Sequence, residues 1–233
     1  MSWDAGRPLL EVIALDAADA RAASAGGADR IELVADMAAD GLSPAVATAR
    51  EVLAVTDLPV RVMLRDAAGF APRDLAGLRR TAAALRAAGV REFVLGFLDA
   101  GGGVDAVACE EVLAELDGCR WTFHRALDHA DDPENAWHAV SRLGCDTVLA
   151  AGSPQGVTHG MAVLARLAAR QAGDGVELMV GGGLRTEHVA PLRAAGVRSF
   201  HVGSLVRSAG WSSPVDPARV AEFRALLTDS VPA

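Results

Sequence analysis

Cationic side chains, cysteines and long apolar runs are all scarce in this sequence of 233 residues. Lysine and arginine together number 22 against 30 acidic residues, and the net charge of −8 argues against a surface that neutralises nucleic-acid phosphates. No apolar run approaches the roughly 20 residues of a membrane span, and the start, MSWDAGRPLLEV, lacks the basic and long apolar parts of a signal peptide. We therefore expect a cytoplasmic protein that binds neither nucleic acid nor membrane.

The three cysteines, Cys109, Cys119 and Cys145, stand singly, without a CxxC motif or a paired metal-ligand spacing. An odd number of cysteines in a reducing compartment predicts free thiols that fill small packing positions. We expect no disulfide framework.

Short aliphatic runs alternate with longer alanine-rich segments along the chain. Each run predicts a β-strand, and the runs lie at residues 9–15, 30–34, 60–64, 91–98, 120–127, 146–150, 177–181 and 199–203. Their starts are about 21 to 31 residues apart, a spacing that suits one strand, one helix and two short loops. The composition, 51% hydrophobic, is enough for one sizeable core.

The segments between the runs carry helix signals. Residues 72–89 have apolar positions at helical spacing and end at Gly89, where a left-handed cap is expected. In the segment 132–144, Asp132 is a candidate N-cap and Pro133 follows at the first helical position. The same Asp-Pro start recurs in the segment 216–227.

Eight repeats of a strand and a helix, with a period near 27, favour an α/β fold of the TIM-like (β/α)8 barrel type, in a single domain over residues 1–233. An open doubly wound sheet would also explain the alternation. The absence of a dinucleotide GxGxxG motif after the first strand argues against that alternative.

In such a barrel the carboxyl ends of the strands form the working face. The polar residues that we expect there are Glu11, Glu32, Arg65, Asp99, His124, Arg125, Asp128, His201 and Ser204. Side chains alternate along a strand, so His124 is predicted to point into the barrel mouth, away from the face of Phe123. Arg125 faces outward unless the strand has already ended there.

Glu11 and Glu32 each interrupt an apolar strand, where an ionised carboxylate is costly without a partner. We expect Arg65 and His124 to supply that partner. Carboxylates beside a histidine also suit general acid and base catalysis or metal ligation, so Glu11, Glu32 and His124 form the candidate catalytic set. The alternative is a buried polar network that only orders the barrel.

Glycines cluster at the ends of the last two strands, in MVGGGLR (residues 179–185) and HVGS (residues 201–204). Backbone N–H groups at Gly181, Gly183 and Gly203, with Ser204, could cradle an anion, and the loops after strands 7 and 8 are the usual phosphate site of this architecture. Glycine is equally expected there if the turns need positive φ.

The sequence resembles the CutC family, whose members are named for copper homeostasis, from about residue 9 to residue 205. The motifs that carry the resemblance are GADRIEL (27–33), DGLSPAV (40–46), GFLDAGGGVD (96–105), TFHRALD (122–128), VLAAG (148–152) and LMVGGGLR (178–185). The resemblance implies a TIM-like barrel and a cytosolic protein that often forms homodimers. It also implies a link to copper.

Some family members carry cysteines near the first two strands that are proposed copper ligands, but this sequence has Ile13, Ala14 and Val34 at those places. Cu(I) prefers soft sulfur ligands, which these aliphatic residues cannot supply. The first functional hypothesis is therefore a copper homeostasis protein that binds metal weakly or indirectly rather than through a pair of thiols. If a metal binds at the mouth, the Glu, His and Asp residues there suit a harder or borderline ion such as Zn(II), Mn(II) or Cu(II).

The second hypothesis is an enzyme that acts on a small anionic or phosphorylated substrate. The glycines at 181–183 would cradle the anion, Arg65 and Arg125 would neutralise it, and Glu32 with His124 would move protons. A structural or partner-binding barrel is the third hypothesis, and a sharp loss of stability without a ligand-binding change on replacing His124 would favour it.

Overall fold

The computed structural model describes residues 7–228. Eight parallel strands form a closed barrel in chain order. The barrel strands are β1 (Leu9–Ala14), β2 (Arg30–Leu33), β3 (Val60–Met63), β4 (Glu92–Leu95), β5 (Arg120–Phe123), β6 (Thr147–Ala150), β7 (Glu177–Val180) and β8 (Ser199–Val202). The predicted (β/α)8 barrel is confirmed, and the doubly wound alternative is wrong.

Helices follow the strands and cover the outside of the barrel. They are α1 (Ala17–Ala25), α2 (Val46–Leu53), α3 (Leu75–Ala87), α4 (Ala106–Leu113), α5 (Pro133–Arg142), α6 (Val157–Asp174), α7 (Thr186–Ala194) and α8 (Pro217–Thr228). Asp132 caps α5 as predicted, because its carboxylate accepts hydrogen bonds from the N–H groups of Glu134 and Asn135. Gly89, at φ 108°, follows α3 in the positive-φ conformation expected there.

Two apolar runs continue beyond their strands. The run at 91–98 leaves the sheet after Leu95, and the run at 120–127 leaves it after Phe123 and enters a 3-10 helix, Arg125–His129. His124 is the residue between β5 and that helix, and the early strand end turns Arg125 toward the mouth. A short strand that the sequence did not predict, β9 (Ser208–Trp211), lies between β8 and α8.

Charged side chains fill the middle of the barrel, a feature set by the strand register. Arg30 and His201 are the direct cross-strand neighbours of Glu11 on either side, in β2 and β8. All three are buried, which places two basic side chains against one carboxylate inside the barrel. Above them lies an apolar layer made by Ile13, Val34, Met63 and Val94.

The three cysteines are free. Cys119 and Cys145 precede β5 and β6, at the end of the barrel opposite the mouth, while Cys109 lies in α4. Burial raises the pKa of the Cys109 and Cys145 thiols to about 12. Within residues 7–228, no helix combines the length and apolar character needed to cross a membrane.

Candidate functional site

A cavity of about 270 Å³ opens at the carboxyl ends of the strands, and we call it the mouth cavity. Its ionisable lining residues come from the ends of β2, β3, β5 and β8 and from the segments that follow them, in agreement with the expectation that polar groups gather on this face. They are Glu32, Asp40, Arg65, His124, Arg125, His129 and His201. Apolar residues complete the wall, among them the aromatic side chains of Phe70 and Trp211.

Below the cavity, Glu11 is held by two basic side chains. It forms a buried ion pair with the Nε of Arg30, and its Oε1 lies 2.7 Å from Nδ1 of His201. Burial alone would raise the pKa of Glu11, but Arg30 and His201 outweigh it and lower the pKa to about 2. The prediction that Arg65 and His124 partner Glu11 and Glu32 was wrong. The neighbours of Glu11 in register on β2 and β8 reach it first, and Glu32 has His201 as its neighbour instead.

Glu32 lines the mouth cavity, and one of its two carboxyl oxygens has no hydrogen-bond partner within the described residues. Its Oε2 lies 3.6 Å from Nε2 of His201, whereas its buried Oε1 has no hydrogen-bond partner among residues 7–228. Burial raises the pKa of Glu32 to about 7, with a further contribution from the negative charge of Glu11. The carboxyl group can therefore gain and lose a proton near neutral pH.

His201 connects the two carboxyl groups. Burial would lower its pKa, but the carboxylates of Glu32 and Glu11 outweigh that effect and raise it. The result is an alternation of charge inside the barrel, from Arg30 through Glu11 and His201 to Glu32 at the cavity.

His124 lines the mouth cavity and uses one ring nitrogen for a backbone contact. Its Nδ1 accepts a hydrogen bond of 3.1 Å from the N–H of Ala126, so the proton of the neutral ring resides on Nε2. The buried Nε2 has no partner within the described part of the chain. Burial lowers the pKa of His124 to about 3, helped by the positive charge of Arg65. His124 is thus a neutral side chain in the cavity wall with one unused hydrogen-bond donor within the described residues.

Arg125 lies at the rim of the cavity and is fixed by Asp128. Its Nε donates to Oδ2 of Asp128 at 2.8 Å, and Asp128 also accepts from the N–H groups of Ala151 and Gly152 after β6. Asp128 is buried, whereas the Arg125 side chain is 33% exposed. Asp128 therefore anchors the rim from outside the cavity, and Arg125 is the member of the pair that lines it.

Arg65 lines the cavity, but its N–H groups donate hydrogen bonds to backbone carbonyls. It donates to Ala39, Asp40 and Gly41 in the loop after β2, and to Ala68 and Gly69 in the loop after β3. Its role in this geometry is to join two loops over the mouth, while its charge still reaches the cavity. Asp99 is exposed and bonds to the N–H groups of Gly101 and Gly103 in its own loop, outside the cavity lining.

The glycines after β7 and β8 are present for different physical reasons. Gly182 and Gly183 adopt positive φ, 88° and 74°, as the alternative interpretation of these residues required. Gly181 makes room for His201, since a Cβ there would lie 2.8 Å from its ring. Gly182, Gly183, Gly203 and Ser204 line the mouth cavity, and their use as an anion cradle stays a prediction.

Two arginines of this region were missed in the sequence. Arg30 and Arg61 occupy inward positions near the starts of β2 and β3, where cations are easily taken for surface residues. Arg30 and Arg61 stand two residues before Glu32 and Met63, and residues two apart share one face of a strand. This spacing could have identified both arginines as inward-facing. Arg61 is buried and pairs with Glu92 at 2.9 Å and with Asp146 at 2.7 Å.

The donor set of the mouth does not suit a copper ion. Among residues 7–228, no three His, Cys, Asp or Glu side chains come together as ligands. The thiols that Cu(I) prefers lie elsewhere in the fold, and two of the three are buried with raised pKa values. Glu11 is committed to Arg30 and His201, which leaves Glu32 and His124 with one open polar atom each.

Comparisons with known proteins agree with this architecture. The chain is 36% identical over 203 residues to a protein named family protein CutC from Caulobacter vibrioides (strain NA1000 / CB15N), covering 84% of this chain and 81% of that protein. It is 34% identical over 219 residues to one of the same name from Agrobacterium fabrum, covering 92% and 85%.

Two solved structures share the fold. A putative copper homeostasis protein CutC from Streptococcus agalactiae superposes with a TM-score of 0.76 at 25% identity, covering 84% of this chain and 98% of that one. An N-(5'-phosphoribosyl)anthranilate isomerase from Pyrococcus furiosus gives 0.65 at 16% identity, covering 96% and 100%, which is a likeness of fold alone. The CutC family model matches residues 9–206. The chain therefore belongs to the CutC family.

Proposed function

We propose that the mouth cavity is the active site of an enzyme that moves a proton next to a carbonyl group of a small anionic molecule. One observation carries this proposal. Glu32 and His124 both line this cavity, and each has one buried polar atom, Oε1 and Nε2, without a partner among residues 7–228. Buried polar groups are nearly always satisfied, so two unsatisfied ones at one cavity indicate that a ligand completes them.

Glu32 is the proposed base. A general base works best when its pKa lies near the working pH, and the pKa of about 7 meets that condition. Its carboxylate would take a proton from the carbon next to the carbonyl, and the electrons of that C–H bond would form an enolate. The protonated carboxyl group then returns the proton to the same carbon, and the enolate electrons restore the carbonyl group.

His124 is the proposed electrophile. Because its ring is neutral and carries its proton on Nε2, it can donate a hydrogen bond to the carbonyl oxygen without first giving up a charge. That hydrogen bond strengthens as the oxygen becomes negative in the enolate, which lowers the barrier to proton removal. Glu32 lies in β2 and His124 directly follows β5, and these strands stand on different sides of the barrel. The two side chains can therefore contact a substrate from two directions.

The anionic part of the substrate is assigned to Arg125. Asp128 binds the Nε of Arg125, which leaves its terminal amino groups available at the rim. Gly182, Gly183, Gly203 and Ser204 line the same cavity and offer a small surface to an anion. A guanidinium fork matches a carboxylate or a phosphate group in shape as well as in charge.

A copper role is not part of this proposal. The Streptococcus agalactiae protein is described as a putative copper homeostasis protein, and that description applies to it alone. Among residues 7–228, the buried polar atoms of the mouth lining that lack a partner are one carboxylate oxygen and one N–H group, and an N–H group does not ligate a metal until it loses its proton. The three free thiols fit a reducing compartment, and we place the enzyme in the cytoplasm.

Deuterium exchange tests the proposal directly. The protein is incubated in D₂O with small ketones that carry an anionic group, such as pyruvate and dihydroxyacetone phosphate, and the loss of C–H signals is followed by proton NMR. Wild-type protein should accelerate exchange next to the carbonyl, and Glu32→Gln should slow it at least about 100-fold.

A matched control is Glu92→Gln. Glu92 is another carboxylate of the barrel, but it pairs with Arg61 at the end opposite the mouth. This replacement should leave the exchange rate unchanged wherever the protein stays folded. Equal rates in wild type and Glu32→Gln would refute Glu32 as the base.

A further inference from the structure

Trp211 is a large apolar side chain that remains open to solvent beside the mouth cavity. It is 37% exposed, whereas Trp121 and Trp137 are buried in the core. It belongs to β9, the short strand after β8, and it lines the cavity together with Gly203. An exposed indole in the wall of a cavity is a ready surface for a planar ring.

The position of Trp211 is fixed by its neighbours. The guanidinium of Arg207 lies over the indole ring at 5.2 Å from its centroid. Arg207 is itself buried and held by Asp19 at 2.6 Å and by the carbonyl of Ile13 at 3.2 Å. The far edge of the indole packs on Gly203, where an added Cβ would collide with the ring. A rigid ring loses little conformational entropy when a ligand stacks on it.

Trp211 and Arg125 each contact a glycine that follows one of two neighbouring barrel strands. Arg125 packs on Gly182 just after β7, and Trp211 packs on Gly203 just after β8. These strands are paired in the barrel, and paired strands run about 4.8 Å apart. Arg125 and Trp211 also line the same cavity, so one small molecule in it can contact both side chains.

We propose that the substrate carries a planar ring, which stacks on Trp211 beside the anionic group held by Arg125. This inference rests on the proposed function and narrows its substrate class to ring-bearing carboxylates or phosphates. The size of the cavity agrees, because roughly 150 Å³ is enough for benzene and the mouth cavity has about 270 Å³.

Phenyl phosphate and inorganic phosphate test the inference, since both offer a phosphate group and only phenyl phosphate offers a ring. Calorimetry on the wild-type protein should give about tenfold tighter binding of phenyl phosphate, a difference within the range of one aromatic stacking contact. In Trp211→Ala the preference should disappear while the affinity for inorganic phosphate stays within about twofold. Trp211→Phe should keep most of the preference.

Equal affinity for the two compounds in the wild type, or a preference that survives in Trp211→Ala, would overturn the inference. Loss of inorganic phosphate binding in Trp211→Ala would overturn it too, because Trp211 would then only support the rim. Deuterium exchange that depends on Glu32 alongside any of these results would leave the proposed function standing. If the exchange rate does not depend on Glu32 while the preference for phenyl phosphate remains, Glu32 is not the base but Trp211 still forms the ring-binding site.

Discussion

His201 Nδ1 lies 2.7 Å from Oε1 of Glu11 inside the barrel, in a contact between two buried side chains. The other ring nitrogen of His201 faces Glu32, so the charge on Glu11 influences the residue at the cavity. The positive charge of Arg30 compensates the negative charge of Glu11. The mouth of this barrel is therefore coupled to a buried ion pair that the strand register imposes.

The Arg30 and Glu11 pair predicts a large stability change when one partner is removed. Arg30→Met should lower the free energy of unfolding by about 3 to 5 kcal/mol, because it leaves a buried carboxylate without its cation. The double variant Arg30→Met with Glu11→Gln should recover part of the loss. Urea unfolding followed by circular dichroism measures both.

The exposed pair of Arg80 and Asp74 is the control for that experiment. Their side chains are 72% and 61% exposed, so Arg80→Met should cost less than about 1 kcal/mol. Similar losses in the buried and the exposed variants would mean that the barrel pair contributes no more than a surface contact.

Glu32 predicts a pH dependence of stability. Its pKa in the folded protein, about 7, is higher than the ordinary value of 4.5, so the folded state holds the proton longer. The stability contributed by the protonated group is present below about pH 4.5 and is lost as the pH rises through 7. Glu32→Gln should therefore be more stable than wild type at pH 8 by roughly 1 to 3 kcal/mol, and nearly equal at about pH 4.5.

Thermal unfolding across that pH range checks the prediction, with Glu222→Gln as the matched replacement on the exposed face of α8. The Glu222 variant should follow the wild-type profile throughout. A Glu32→Gln profile parallel to wild type would show that Glu32 titrates alike in the folded and unfolded chains.

Much of the barrel was predictable because strand and helix periods are local properties of the sequence. His124 was predicted to point into the mouth from the alternation around Phe123, and it lines the cavity. The function of Arg65 was not predictable in the same way. Its five carbonyl partners depend on the paths of two loops, one of which has Asp36 and Asp40 at positive φ, and no apolar pattern encodes those backbone angles.

Arg125 shows where the strand pattern reaches its limit. Alternation alone placed its side chain outward, but the strand ends at Phe123 and a 3-10 helix turns the side chain to the rim. The contact of Trp211 with Gly203 links two residues across the connection between β8 and β9. Contacts of this kind follow from tertiary packing, which a single sequence does not display.

Replacing Gly182 should specifically weaken anion binding. Gly182→Ala would place a Cβ 2.5 Å from Nε of Arg125 and should push the guanidinium from the rim, weakening inorganic phosphate binding at least about tenfold. Gly196→Ala is the control, since Gly196 also has positive φ, 96°, but has open space where a Cβ would lie. Both variants should lose about 1 to 2 kcal/mol of stability from the backbone alone.

Calorimetry of both glycine variants separates the two effects. Only Gly182→Ala should lose affinity for phosphate. Equal affinities in the two variants would exclude Arg125 as the anion-binding group that Gly182 positions.

The cysteines predict thiol reactivity confined to one residue. Cys109 and Cys145 are buried with raised pKa values, so neither should react with Ellman's reagent in the folded protein. Half-buried Cys119 should react slowly, and Cys119→Ser should abolish the signal. A second or third equivalent released without denaturant would contradict the packing described for the buried thiols.

The pH dependence of deuterium exchange tests the central claim, that Glu32 is the base of an enzyme site in this mouth. The rate of exchange at the carbon next to the carbonyl of the best ketone is measured from about pH 5 to about pH 9, on both sides of the Glu32 pKa. The rate should rise with an inflection near pH 7 and then level off, since the ionised carboxylate is the active form. Glu32→Gln should lose both the rate and the inflection. An inflection that persists in Glu32→Gln, or no protein-dependent exchange with any anionic ketone, would contradict the account.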